Sequence, residues 1–128
     1  MKIILSILFI NFSILSYCQE HAKDSIYNAV DLDVKPDFPG GIEKFMKFMV
    51  KNYHVPEVSN FKGKVISEFV IEKDGAISEI EIIQDPGYGS GEECIRVLKM
   101  SPKWNPGKKN GSTVRTKYNF PLIIQSSE

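Results

Sequence analysis

The chain has 128 residues, of which 42% are apolar and 25% charged. That is room for one domain with a core of its own, without a disulfide or a metal to hold it. Sixteen basic and sixteen acidic residues cancel, so the basic footprint of a nucleic-acid binder is missing.

The first 18 residues carry a single charge, Lys2. Residues 3–15 form an apolar run broken only by Ser6, Asn11 and Ser13. As a helix this run is about 20 Å long, short of the ~30 Å hydrocarbon core of a bilayer. Ser16, Tyr17 and Cys18 follow, and the pattern predicts a secretory signal over residues 1–18, cleaved before Gln19. Two alternatives stay open. Leu15-Ser16-Tyr17-Cys18 roughly matches a lipobox, with the bulky Tyr17 against it, which would make a lipoprotein tethered through Cys18. An uncleaved N-terminal anchor is the other. Without Cys18 only Cys94 remains, so an intrachain disulfide is unavailable.

All seven prolines and all nine glycines lie at Pro36 or later. Residues 19–35 carry charges and only a weak apolar set, Ile26, Tyr27, Val30, Leu32 and Val34. They are expected to form a tether or an initial extended segment, with the compact domain over residues 36–125. Phe38-Pro39-Gly40-Gly41 opens it, the glycines allowing a tight lead-in to a helix. From Ile42, apolar residues recur at Phe45, Met46, Met49, Val50 and Tyr53, one face of an amphipathic helix. Glu43, Lys44, Lys47 and Lys51 lie opposite, and Phe48 falls outside the stripe. Pro56 ends the helix.

Residues 64–71 read as a strand with apolar groups on both faces. Glu72-Lys73-Asp74-Gly75 is a hairpin turn, and residues 76–84 return, with Ile80 and Ile82 opposite Glu79 and Glu81. Ser90-Gly91-Glu92-Glu93 has the form of a capping box and starts a second helix. Cys94, Val97 and Leu98 form its buried stripe, and Pro102 ends it. A turn at Asn110-Gly111 leads to the last strand, where Val114, Thr116, Tyr118, Phe120, Leu122 and Ile124 alternate with Arg115, Lys117, Asn119, Pro121 and Ile123.

The order α-β-β-α-β predicts an α+β domain with a three-stranded sheet and both helices on one face. The least polar strand, the first, belongs in the middle. A right-handed crossover then puts the last strand at an edge, antiparallel to the first, where Pro121 is tolerated.

Chemistry is sparse. His21 and His54 have no Cys or carboxylate at ligand spacing, so no metal is expected. The glycines of residues 87–91 lack the lysine and strand context of a phosphate loop. Cys94 lies near a helix start, which favours thiolate, but on the apolar stripe, which opposes it. Glu79 and Glu81 are explained by a wet sheet face. Neither an enzyme nor a cofactor is expected.

Three clusters in order carry a resemblance. Phe38-Pro39-Gly40-Gly41 precedes the first helix. Gly63-Lys64-Val65 leads to Phe69-Val70-Ile71 and Asp74-Gly75-Ala76-Ile77. Trp104, Pro106 and Gly107 precede a strand ending Phe120-Pro121-Leu122. Together they resemble the C-terminal domain of TonB energy transducers, over roughly residues 36–124. Taken residue by residue, Phe38, Pro39, Gly40, Gly41, Trp104, Pro106 and Gly107 are structural positions, a helix lead-in and a packed aromatic before a tight turn. The resemblance implies that the last strand receives the short Ton box of an outer-membrane receptor by strand addition. The expected partner-binding residues are Thr113, Val114, Arg115, Thr116, Lys117, Tyr118, Asn119 and Phe120, with Arg115, Lys117 and Asn119 reading partner side chains.

The partner so implied is a TonB-dependent receptor or another envelope protein, met in the periplasm, with no nucleic acid involved. Membrane association is expected only through a lipid on Cys18 or an uncleaved N-terminus. The 17 residues between Cys18 and Pro36 reach about 60 Å at most, which favours a stand-alone module over a force-transmitting transducer. The alternative use of the same edge is pairing with its own copy in a homodimer.

Overall fold

The computed structural model describes residues 25–127. The signal segment expected over residues 1–18, with Cys18, and the later His21 lie outside the described residues. The elements are β1 (Ile26–Asn28), α1 (Ile42–Asn52), β2 (Lys62–Ile71), β3 (Ile77–Gln84), α2 (Ser90–Lys99), β4 (Gly107–Lys109) and β5 (Ser112–Gln125). The fold is α+β. Its sheet runs β1-β5-β2-β3, with β4 also paired to β5. β2 is central and antiparallel to both β3 and β5. Two short strands, β1 and β4, extend the three-stranded sheet that the hydrophobic pattern predicts.

The core lies on one sheet face. Val65, Phe69 and Ile71 of β2 meet Phe120, Leu122 and Ile124 of β5 under both helices. α1 contributes Phe45 and Met49, and α2 contributes Cys94, Val97 and Leu98. Trp104, 3% exposed, stands at the centre of an aromatic cluster, with Phe38, Phe45, Phe69 and Tyr118 within 6.0 Å between ring centroids. Its indole N–H donates to Ser101 Oγ at 3.0 Å. Its backbone N–H donates to Gly75 O at 2.8 Å, pinning the α2–β4 connection to the tip of the β2–β3 hairpin. Gly75 has φ +90°, and a Cβ there would stand 1.9 Å from the Trp104 carbonyl oxygen. Only glycine fits that position.

α1 is rotated from the face that its spacing predicts. Phe48 is partly buried against the core and meets Phe38 at 5.7 Å. Ile42, Met46 and Val50 are 49%, 39% and 66% exposed. The cause is not local: Phe38, turned inward by the Gly40–Gly41 bend with both φ near +90°, offers an aromatic partner on the Phe48 side.

The capping box does not form. Gly89 caps α2 in the left-handed region, and Ser90 is buried, its hydroxyl donating to Gly87 O at 2.6 Å. Asp85 Oδ1 accepts from the N–H groups of Gly87 and Gly91 instead. Glu93 turns to Arg96 Nε at 2.7 Å and to the His54 N–H at 2.6 Å, tying α2 to the end of α1. These bonds hold its carboxyl down at about 2.

The described part of the N-terminal stretch packs against the domain. Ile26–Asn28 pair in parallel with residues 115–117, and Val34 bridges to Lys108. Lys109 Nζ donates to Asp31 O at 2.8 Å, and the Asn110 N–H donates to Asp33 Oδ2 at 2.6 Å.

Candidate functional site

The sheet has two margins, and they are built differently. β3 lies at one. Its pairing with β2 is broken by register shifts, and Glu79 sits at φ +48°. A bulged strand with exposed Glu79 and Glu81 is a blunted edge.

The other margin is β5. It pairs with β2 in unbroken register from Lys62↔Gln125 to Ile71↔Thr116, with no bulge. Its outer side is partly taken: β1 covers Arg115, Thr116 and Lys117. Among the described residues, no strand pairs with the outer side from Tyr118 to Gln125.

Which backbone groups face outward follows from parity. The Ser126 N–H donates to Phe61 O at 2.9 Å, and these two residues stand opposite each other one step beyond the Lys62↔Gln125 pair. In an antiparallel ladder such hydrogen-bonded pairs alternate with pairs whose groups point away. The even residues of this stretch, Tyr118, Phe120, Leu122 and Ile124, therefore bond to β2. Ser67 Oγ reaching Phe120 O at 3.2 Å agrees. The odd residues, Asn119, Pro121, Ile123 and Gln125, turn their backbone groups to the vacant side. Pro121, which has no N–H, falls on that side, as an edge proline should.

The predicted partner-binding residues divide accordingly. Thr113 and Val114 pair with β4, and Arg115, Thr116 and Lys117 with β1. Tyr118, Asn119 and Phe120 lie in the open stretch. The outward charges are engaged within the chain. Arg115 Nε lies 2.8 Å from Glu72 Oε1 and its Nη2 lies 3.2 Å from Glu79 Oε2, while Lys117 Nζ is 3.5 Å from Glu68 Oε1. The Arg115 guanidinium holds the Glu72 carboxyl below the usual carboxylate range, aided by a hydrogen bond from Ser78.

The predicted partner-binding residues end at Phe120 and leave out Leu122 to Gln125, which line a cavity of about 160 Å³ with Val50, Tyr53 and Val55. Ile123, an apolar residue on the outward face of an edge strand and 66% exposed, was the signal for it. Of the structural positions, Phe38 and Gly41 sit in the helix lead-in, Trp104 in the aromatic cluster and Gly107 at the start of β4, and none of them lines this groove.

Burial raises the Cys94 thiol above its ordinary value, so it stays protonated at neutral pH. Among the described residues, no three His, Cys, Asp or Glu side chains are grouped so that they could hold a metal ion. Among those residues no helix is long and apolar enough to cross a membrane.

No curated protein matches the chain. Residues 58–123, just over half of it, match the family model described as the Gram-negative bacterial TonB protein C-terminal. The matched span holds β2, β3, α2, β4 and nearly all of β5, the frame that carries the open margin, and the chain belongs to the TonB C-terminal family.

Proposed function

We propose that this is a periplasmic TonB-like binding module. It takes an extended peptide, such as the Ton box of an outer-membrane receptor, as an added strand on the outer side of β5, in transport across the outer membrane. The observation that carries the proposal is the bulge-free stretch from Tyr118 to Gln125, whose outer side has no strand among the described residues, opposite a blunted margin at β3. Backbone hydrogen bonds from Asn119, Ile123 and Gln125 would supply affinity. Family membership supports a role in envelope transport and a binding rather than an enzymatic task. The docking segment, residues 118–125, shares only Tyr118, Asn119 and Phe120 with the predicted set, because β4 and β1 hold residues 113–117.

Titration of isotope-labelled protein with a synthetic Ton-box peptide tests this. Amide shifts concentrated at residues 118–125 are expected. Shifts confined to β3, or none, would contradict strand addition. A second proposal keeps one specific observation: the same open stretch, with Ile123 exposed on it, can pair with its own copy. Light scattering over a concentration series separates the two, since a peptide receptor stays monomeric.

A further inference from the structure

Extending the strand-addition proposal, we infer that α1 forms a second wall of the docking site and selects partners with apolar side chains at every second position. Val50 lines the groove with Leu122 and Ile124. Ile42 and Met46 share its helix face by the i, i+4, i+8 spacing, and all three are exposed. A helix that buries Phe45, Phe48 and Met49 on one side thus leaves an apolar stripe uncovered on another, and that stripe leads to the only open part of the β5 edge among the described residues. Tyr53 and Val55 line the same groove.

The occupant is a peptide strand rather than a helix or a small apolar ligand, because the floor of the site is an unpaired backbone ladder. A strand laid there alternates its side chains between the two sheet faces. Those on the helix side enter the groove toward Val50 and Val55. Those on the other face lie beyond Ile123 and Gln125, whose neighbours on β2 are Lys64 and Lys62, and beyond Asn119, whose neighbour Glu68 is already paired with Lys117. Both lysines are exposed, and among the described residues neither takes part in an ion pair. The partner chemistry is therefore an extended segment with apolar residues facing α1 and carboxylates between them.

The test uses the full chain and acetyl-Asp-Val-Glu-Val-Thr-Val-amide. Two controls are a peptide of the same composition with its valines contiguous and one with Lys for both acids. The alternating peptide is expected to bind at least about tenfold tighter than either. Val50→Asp is expected to weaken it about tenfold. Val50 is two-thirds exposed, so the thermal midpoint should stay close to that of the unaltered protein. Unchanged affinity in Val50→Asp with amide shifts still at residues 118–125 would overturn the α1 wall and leave strand addition standing. No shift there with any of the three peptides would overturn both. A concentration-dependent dimer that protects the Val50 amide would replace the peptide with a second copy and overturn the inferred occupant.

Discussion

Parity along β5 makes a prediction that two neighbouring proline substitutions resolve. Leu122 is buried, 3% exposed, and stands opposite Val65; its N–H belongs to the ladder with β2. Leu122→Pro deletes that bond and empties a core position. A proline inside a ladder costs about 3 kcal/mol and a lost leucine side chain ~2–5 kcal/mol, a sum comparable with the whole stability of a domain this size. Ile123 turns its N–H to the vacant side and its side chain to solvent. Ile123→Pro removes no bond to β2 and costs only the restriction of φ, about 1 kcal/mol. It also removes one hydrogen bond to an added strand, worth ~1–1.5 kcal/mol, and places a ring where the visiting backbone must lie. Peptide affinity should therefore fall about tenfold or more. The assay is thermal unfolding by circular dichroism with peptide titration by calorimetry. Leu122→Pro should be unfolded, and Ile123→Pro folded but unable to bind tightly. The reverse pattern, or two equally damaged variants, would refute the assignment of inward and outward groups.

Further outcomes follow from single positions. Gly75→Ala drives a methyl into the Trp104 carbonyl at a positive φ and should cost ~2–4 kcal/mol, read as a lowered denaturant midpoint. Thr116 is fully buried and its hydroxyl has no hydrogen-bond partner among the described residues. Thr116→Val keeps the branched shape and should raise stability by about 1 kcal/mol in the same assay. The Glu93 carboxyl is held at about 2 against an ordinary 4.5. Its contribution is full above pH 4.5 and fades as pH falls toward 2. Glu93→Gln should lose stability at neutral pH, by about 1 kcal/mol given the exposed Arg96, and should show a shallower acid slope between those values in a pH series of thermal midpoints.

The parts of the fold written in side-chain periodicity were legible. β2, β3, α2 and β5 lie close to where alternation and the 3.6-residue repeat predict, because each buries one face against the same core. What the sequence hides depends on residues far apart in the chain. The rotation of α1 rests on Phe38 meeting Phe48, which no window over α1 contains. β1 is three residues long, with only Ile26 and Tyr27 apolar, and its place beside β5 is a long-range pairing without a local signature. Asp85 displaced the capping box because the loop over residues 85–89 folds back on the helix start. For the site, Pro121 marks a part of β5 with no strand on its outer side among the described residues, although β1 and not β5 ends the sheet order. The extent of the open stretch depended on β1, so residues 113–117 look available in the sequence and are covered in the structure.

Strand addition requires that the outer margin of β5 be open in the free protein and be covered once a peptide binds. Residue-resolved hydrogen exchange measures this directly. In the free chain the Asn119, Ile123 and Gln125 amides should exchange quickly while Phe120, Leu122 and Ile124 are protected, and a bound Ton-box peptide should slow the first set alone. Equal protection of both sets in the free protein, or no change in the odd-numbered amides at saturating peptide, would contradict the account.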